Sequence, residues 1–307
     1  MTDLETMRRA LVAADPRLSR YNPLPRILFF DDFDTGVNGW TELIGNHDGD
    51  LGKVRQVVSD MRPAQLSNLS FWDVGTHGAM QGNYALKLAT RARANHMALA
   101  IKRLTYVKPG LVQFETYFTL KSESWIGPRP DHQDFDGNID PSVMDFGDFC
   151  IGNDVCDAEY GRRYHCALRY VNTDHAGNLV RKWQYKTSLQ TSTKMGLKGS
   201  APSVDYHVAH PDDWVDIPGG QQNLCYNEIP TKVNWHYLRY VFDTSKGRNV
   251  ELQVNDKVMD LKDIPVPNYD HGYWGLEKLL NFCLDVRTHR DVRNFLFLDS
   301  CLVSVDW

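Results

Sequence analysis

From Arg26 to the C-terminus the chain is cut into runs of five to eleven residues that alternate in polarity or stay apolar, with Gly, Pro, Asn and Asp between them. Such runs are too short for helices, and their period of two sends successive side chains to opposite faces of a strand. The clearest are residues 27–33, 84–89, 97–104, 111–120, 164–171, 179–185, 235–242, 250–254, 282–286 and 295–305. Within 111–120, Val112, Phe114, Thr116 and Phe118 point one way and Gln113, Glu115, Tyr117 and Thr119 the other. Residues 164–170 and 236–242 repeat this two-faced pattern, which packs one face on a partner sheet and offers the other to water or ligand. Helical periods barely appear between the strands, so parallel βαβ architectures lose support and antiparallel hairpins gain it. The implied fold is all-β: a two-sheet antiparallel jelly-roll sandwich with a short N-terminal helix and long loops.

The helix is predicted over residues 2–14, where Leu4, Met7, Ala10 and Leu11 share a stripe, and Asp15-Pro16 stops it. Residues 1–25 are therefore read as helix and lead-in, resting outside the sandwich, and 26–307 as a single sandwich domain. Of 39 acidic residues only eight are Glu; the excess of Asp, which favours turns and caps, suits a loop-rich β protein.

The net charge of -5 is spread without blocks of like sign, which disfavours a nucleic-acid partner. No apolar run approaches the roughly 18 to 20 residues of a membrane span, and the opening residues lack the apolar centre of a secretory signal. The expectation is a soluble chain, cytoplasmic by default, with export left open. Cys150, Cys156, Cys166, Cys225, Cys283 and Cys301 include no Cys-x-x-Cys pair and read as reduced, buried small residues.

Phe29-Phe30-Asp31-Asp32-Phe33-Asp34-Thr35-Gly36, with Trp40 behind it, and the final run Phe297-Leu298-Asp299-Ser300-Cys301-Leu302-Val303 resemble the concanavalin A-like lectin and glucanase superfamily. The segment 233–243 followed by 250–257, with Asn255-Asp256 at the turn, matches a hairpin frequent in that superfamily. The resemblance implies the jelly roll and one structural Ca²⁺ held by the side chains of Asp32 and Asp299 and the carbonyl of Gly36, since calcium takes hard oxygen ligands. The competing reading is that Asp31, Asp32 and Asp34 cap the turn after the strand. Glucanases of this superfamily carry Glu-x-Asp-x-x-Glu on one strand, and that string is absent here. Glu115, projecting from the polar face of its strand, is the best single catalytic candidate; the competing reading is a hydrogen-bonded strand residue.

Asp134-Phe135-Asp136-Gly137 resembles half of a calcium loop but lacks the Glu that would close it, and Asn46-His47-Asp48-Gly49-Asp50 reads as a polar turn. No His-x-His or His-Glu-x-x-His spacing fixes a zinc, and no Gly-x-Ser-x-Gly or Gly-Lys-Ser/Thr string supports a serine hydrolase or a phosphate loop. The remaining signal is aromatic. Trp72, Trp125, Tyr206, Trp214 and Tyr226 fall in three long connections, 59–83, 122–142 and 190–232, among polar residues, with His77 nearby in a glycine-rich stretch. Sugar rings offer apolar faces edged by hydroxyls, so flat aromatic side chains ringed by planar polar groups suit them. Trp72, His77, Trp125, Tyr206 and Trp214 are the expected ligand residues, although loop tryptophans also serve as plugs over a core. The expected function is carbohydrate binding by long loops and a concave polar face. A glycoside hydrolase or polysaccharide lyase, or a non-catalytic interaction domain, stands as the alternative.

Overall fold

The computed structural model describes residues 3–41, 61–67, 79–122, 145–157, 161–187, 190–192, 206–208, 213–224, 234–270 and 277–307. Helix α1 (Asp3–Ala14) opens the chain and ends just before Asp15, which Pro16 keeps out of the helical region. None of its residues is buried. The strands follow as β1 (Arg26–Asp31), β2 (Trp40–Thr41), β3 (Met61–Pro63), β4 (Gln65–Leu66), β5 (Leu86–Ala89), β6 (Met97–Thr105) and β7 (Leu111–Ser122). The middle of the chain supplies β8 (Asp148–Cys156), β9 (Arg162–Thr173), β10 (Leu179–Lys186), β11 (Gln190–Ser192), β12 (Tyr206–Val208) and β13 (Trp214–Gln221). The last third supplies β14 (His236–Asp243), β15 (Arg248–Val254), β16 (Lys257–Asp260), β17 (Asn268–Asp270), β18 (Leu279–Arg287) and β19 (Asn294–Val305).

These strands build two large sheets and a separate β11-β12 ribbon. The eight-stranded sheet runs β16-β15-β14-β7-β19-β5-β4, with β1 also on β19. The nine-stranded sheet runs β13-β10-β9-β8-β18-β6-β2, with β17 on β9 and β3 on β6. Among the described residues the pairings are antiparallel, save the short β3 on β6. This is the two-sheet sandwich that the alternation implies.

β5 covers the first half of β19 and β1 the second, so the two ends of the chain close the sheet together. A bulge at Ser300, in the left-handed region at φ 52°, marks the change of partner and sets Asp299 apart from the strand after it. Asn255 takes φ 55° in the β15-β16 turn, the conformation expected of Asn-Asp there. Between the sheets, Phe114 stacks on Phe282 with centroids 5.2 Å apart, and Phe118 meets Phe149 at 5.0 Å. Tyr170, Trp183, Tyr240 and Phe242 fill the same fully buried layer. Each such side chain is worth about 1.5 to 3 kcal/mol of burial, which fixes the register that sorts polar side chains to the outer faces. The five described cysteines are free thiols; four are buried and Cys283 is half-buried.

Candidate functional site

Along β8 alternation sends Phe149, Ile151 and Val155 into the core and Asp148, Cys150, Gly152 and Asp154 to the outer face of the nine-stranded sheet. Antiparallel register then sets Arg287 beside Asp148, and Arg169 and Asp285 on either side of Cys150. Ala167 and Cys283 flank Gly152, and His165 and Asn281 flank Asp154. β10 extends these rows with Lys182, Gln184 and Lys186, and β13 with Asp216 and Trp214. Gly152 is required where it stands, because a Cβ there would lie 2.1 Å from the carbonyl oxygen of Cys166 on the next strand.

The charges of this face are pressed together and partly out of water. Asp148 is buried and accepts a hydrogen bond from His289 Nε2 at 2.8 Å, with Arg169 at 3.5 Å. His289 Nδ1 lies 2.6 Å from the carbonyl oxygen of Thr173, so the ring is held between that carbonyl and Asp148. Burial opposes ionisation of Asp148, but the His289 bond and the nearby Arg287 and Arg169 hold its carboxyl below the usual carboxylate value. Asp285 goes the other way: burial pushes it up to about 6, and Asp148 adds to the rise. Lys186 is pushed down to about 8, chiefly by burial. One carboxyl and one amine shifted toward neutrality, beside a second carboxyl held low, make this face a candidate functional site.

At the edge of the face Trp214 receives the Arg169 guanidinium over its ring at 4.4 Å. Arg169 Nε donates to Gln184 Oε1 at 2.9 Å, Gln184 Nε2 donates to Asp216 Oδ1 at 2.8 Å, and Lys182 Nζ donates to Asp216 Oδ2 at 2.7 Å. The result is one aromatic ring continued by a chain of planar polar groups across three strands. The indole Nε1 of Trp214 is itself enclosed and has no hydrogen-bond partner.

The family described as Domain of unknown function (DUF6772) matches residues 8–307. The chain belongs to that family. No curated protein matches this DUF6772 chain. Solved structures to which it is similar include the Emp46p carbohydrate recognition domain in its potassium-bound form, at 10% identity over 87% of this chain and 97% of that one, with a TM-score of 0.35. A legume lectin-like domain from Entamoeba histolytica is similar at 8% identity over 79% and 89% of the two chains, TM-score 0.37. A beta-1,3-glucanase from Mycobacterium marinum is similar at 9% identity over 90% and 98%, TM-score 0.37.

Of the residues singled out by sequence, Trp72, His77 and Trp125 lie outside the described residues, as do the turns at 46–50 and 134–140. Tyr206 opens β12, with its side chain outside the described set. Trp214 opens β13 rather than standing in a loop, and it alone of the five is seen on the polar face. Glu115 lies on the other sheet and is fully buried. Its Oε1 accepts the Asn22 N–H at 2.8 Å and the Tyr237 hydroxyl at 2.6 Å, and its Oε2 accepts Gln113 Nε2 at 2.9 Å.

The acidic turn after β1 is heavily engaged. Asp31 accepts Trp40 Nε1 at 3.0 Å and Lys102 Nζ at 2.9 Å, and Asp32 accepts the backbone N–H of Asp34 at 3.3 Å. Asp34 Oδ1 accepts the N–H groups of Asn83 and Tyr84 at 2.6 and 3.0 Å. Its other oxygen lies where a Cβ on Gly82 would fall, so the φ of +70° there calls for glycine. Asp299 Oδ2 accepts Gln81 N–H at 2.6 Å, while its Oδ1 is buried without a partner and burial pushes the carboxyl up to about 6. That orphaned oxygen suits a cation. Among the described residues no three His, Cys, Asp or Glu side chains converge on a metal, so a calcium there would depend on carbonyl oxygens, Gly36 included, for the rest of its shell.

Sequence reading passed over Asp148, Lys186, Asp285, Arg287 and His289. The signal for the first was present: Asp-Phe-Cys-Ile-Gly-Asn-Asp-Val-Cys alternates as cleanly as β7 but with small and acidic residues on its outer side.

Proposed function

We propose that the outer face of the nine-stranded sheet binds a carbohydrate or a similar polyhydroxylated ligand. The observation that carries this reading is the Trp214 ring joined to the Arg169, Gln184, Asp216 and Lys182 chain. The ring supplies a flat apolar surface, and the planar groups beside it are already held in place by one another, so little side-chain entropy is lost on binding. A glycan array followed by calorimetry tests it: saccharide binding by the native chain and its loss in Trp214→Ala are expected, and no binding to any saccharide removes the proposal.

One observation favours a second reading, an enzyme acting on the same ligand. Burial raises Asp285 to about 6 while Asp148 beside it is held below the usual carboxylate value, a separation of two carboxyls of the kind that acid and carboxylate roles in glycosidic cleavage use. Release of reducing ends from a bound polysaccharide, lost in Asp285→Asn, would establish it. In either reading Glu115 is assigned a structural role, because its oxygens are spent on the chain's own donors.

We also propose calcium at Asp32, Asp299 and the Gly36 carbonyl, where it would neutralise the buried Asp299 oxygen. Added calcium is expected to raise the melting temperature of the native chain and to leave Asp299→Asn unmoved. Equal response of the two proteins would reassign these residues to capping alone.

A further inference from the structure

We infer that helix α1 is a self-pairing element: it forms a short parallel coiled coil with α1 of a second copy of this chain and so joins two sandwiches in a weak dimer.

Leu4, Met7, Leu11 and Ala14 follow one another at spacings of three, four and three, the a and d positions of two heptads. At about 100° per residue they fall within about 80° of one another. That is narrower than the stripe by which a helix seats on a domain core and is the width of a coiled-coil seam. The seam is open. Leu4, Met7 and Leu11 are 56%, 60% and 62% exposed, whereas Glu5 and Val12 are half-buried. Those two lie about 130° around the helix from the seam, so α1 turns another side to its own chain and carries the apolar stripe outward. The other exposed large apolar side chains among the described residues, Tyr84, Val107, Leu179, Val215 and Val258, stand one to a loop or strand, and such scatter is ordinary.

Charge chooses the occupant and its direction. In a parallel pair a g residue meets the next e residue of the facing helix. Asp3 stands at g and Arg8 at e, so Asp3 of each copy meets the partner's Arg8, and the two-fold axis makes the contact twice. Both side chains are exposed, and the ion pair of Arg9 with Glu5 lies on the opposite side of the helix. An antiparallel pair on the same seam would instead bring the two Arg8 side chains together, like charge on like.

Pairing needs no folding step. A helix this short is costly to nucleate from coil, but α1 is already closed at its end and fastened to the sandwich. The Asp15 N–H donates to the Leu11 carbonyl at 3.2 Å, and Asp15 Oδ1 accepts the Arg17 N–H at 2.9 Å. The Arg17 guanidinium lies over the Phe30 ring of β1 at 5.8 Å. The surface that two copies bury is small, since 12 residues of helix are about 18 Å long and two heptads fall well short of the roughly 800 Å² per partner of a stable interface. The dimer is accordingly transient, with a Kd on the order of 100 µM, and both sandwiches leave it at the same end.

Sedimentation equilibrium of the full chain from about 5 to about 500 µM is the test, and the native chain is expected to pass from monomer to dimer across that range. Leu11→Glu should weaken pairing at least tenfold, while its melting temperature at the lowest concentration stays within about 1 or 2 °C of native because Leu11 is exposed. Arg8→Asp, which sets like charges across the seam, should weaken pairing about threefold to tenfold, and adding Asp3→Arg to it should restore the native value. Leu4→Cys, oxidised with diamide, is expected to link two copies covalently, and Leu11→Glu in the same chain should abolish the link. Parallel alignment sets position 4 against its own equivalent, whereas antiparallel alignment sets it against Ala14. A chain monomeric at every concentration, or a dimer that survives Leu11→Glu, overturns the inference. Failure of the charge exchange to restore pairing, or of Leu4→Cys to cross-link, overturns the parallel seam. Binding of a chain that stays monomeric to phosphatidylserine vesicles would give the stripe to a lipid surface and overturn it as well.

Discussion

The two outer faces of the sandwich begin from the same sequence pattern and end differently. On the eight-stranded sheet, residues 20–24 lie across the polar side of β7 and β19. Asn22 gives its N–H to Glu115 and takes Gln113 Nε2 on its carbonyl at 2.8 Å. Leu24 gives its N–H to Ser304 Oγ at 2.9 Å, and Tyr21 gives its hydroxyl to the Ser300 carbonyl at 3.0 Å. Tyr117 reaches the Arg20 carbonyl at 3.3 Å, with the Arg20 guanidinium over its ring. On the nine-stranded sheet the outer polar groups instead face one another, with carboxyls displaced in opposite directions and polar atoms left unpaired. The patch under residues 20–24, its donors and acceptors matched, is structural, whereas the nine-stranded face, and Asp299 beyond that patch, keep polar atoms unmatched and are the places to look for a ligand.

The largest expected effect tests the structural side. Glu115→Ala leaves the Asn22 N–H, the Tyr237 hydroxyl and the Gln113 amide short of an acceptor in a buried setting, at about 1 to 3 kcal/mol for each group that finds no substitute. A loss of roughly 3 to 5 kcal/mol in denaturant unfolding is expected, of the size reserved for broken buried networks. Trp214→Ala, on the other face, should cost under about 1 kcal/mol of stability while saccharide affinity falls. If the two variants destabilise alike, the contrast between the faces collapses.

How far this contrast could be read beforehand depends on the range of the interaction. Alternation is local, so the strands, the inward set of Val112, Phe114 and Phe118, and the outward set of Gln113 and Glu115 were all legible. The Asn255 turn was legible for the same reason. Whether an outward residue is covered is decided by distant segments: Asn22 meets Glu115 across 93 positions, and His289 meets Asp148 across 141. Nothing in the spacing of β7 announces that residues 20–24 will lie on it. Asp148 and Asp285 likewise become neighbours only through the β8-β18 register, which a single sequence does not encode in any local pattern. Trp214 stands among polar residues in the sequence and begins a strand in the structure.

The next effect probes the tension on the ligand face. The carboxyl of Asp285 binds its proton more tightly folded, at about 6, than in the unfolded chain near 3.8, so stability is full below about pH 4 and falls as pH rises through 6. Asp285→Asn removes that loss. At pH 7.5 it should be the more stable protein by about 1 to 2 kcal/mol, discounted from the full linkage value because the residue is only half-buried, and the gain should vanish below about pH 4. A gain independent of pH would point to packing instead of charge.

The smallest expected effect locates where the covering segment begins. Helix α1 buries none of its residues, its Leu4, Met7 and Leu11 are exposed, and its ion pair of Arg9 with Glu5, at 3.8 Å, lies at the surface. Surface changes of this kind move stability by no more than about 0.5 kcal/mol, so removing residues 1–14 should leave the melting temperature within about 1 or 2 °C of the native value. Removing residues 1–24 takes away the Asn22, Leu24 and Tyr21 bonds and belongs with Glu115→Ala in size. The step between these two truncations is the sharper measurement, because it separates the helix from the stitched segment that follows it. If the shorter truncation already costs as much as the longer one, then α1 anchors the segment, and the eight-stranded face owes its closure to a helix that touches the sandwich nowhere with a buried side chain.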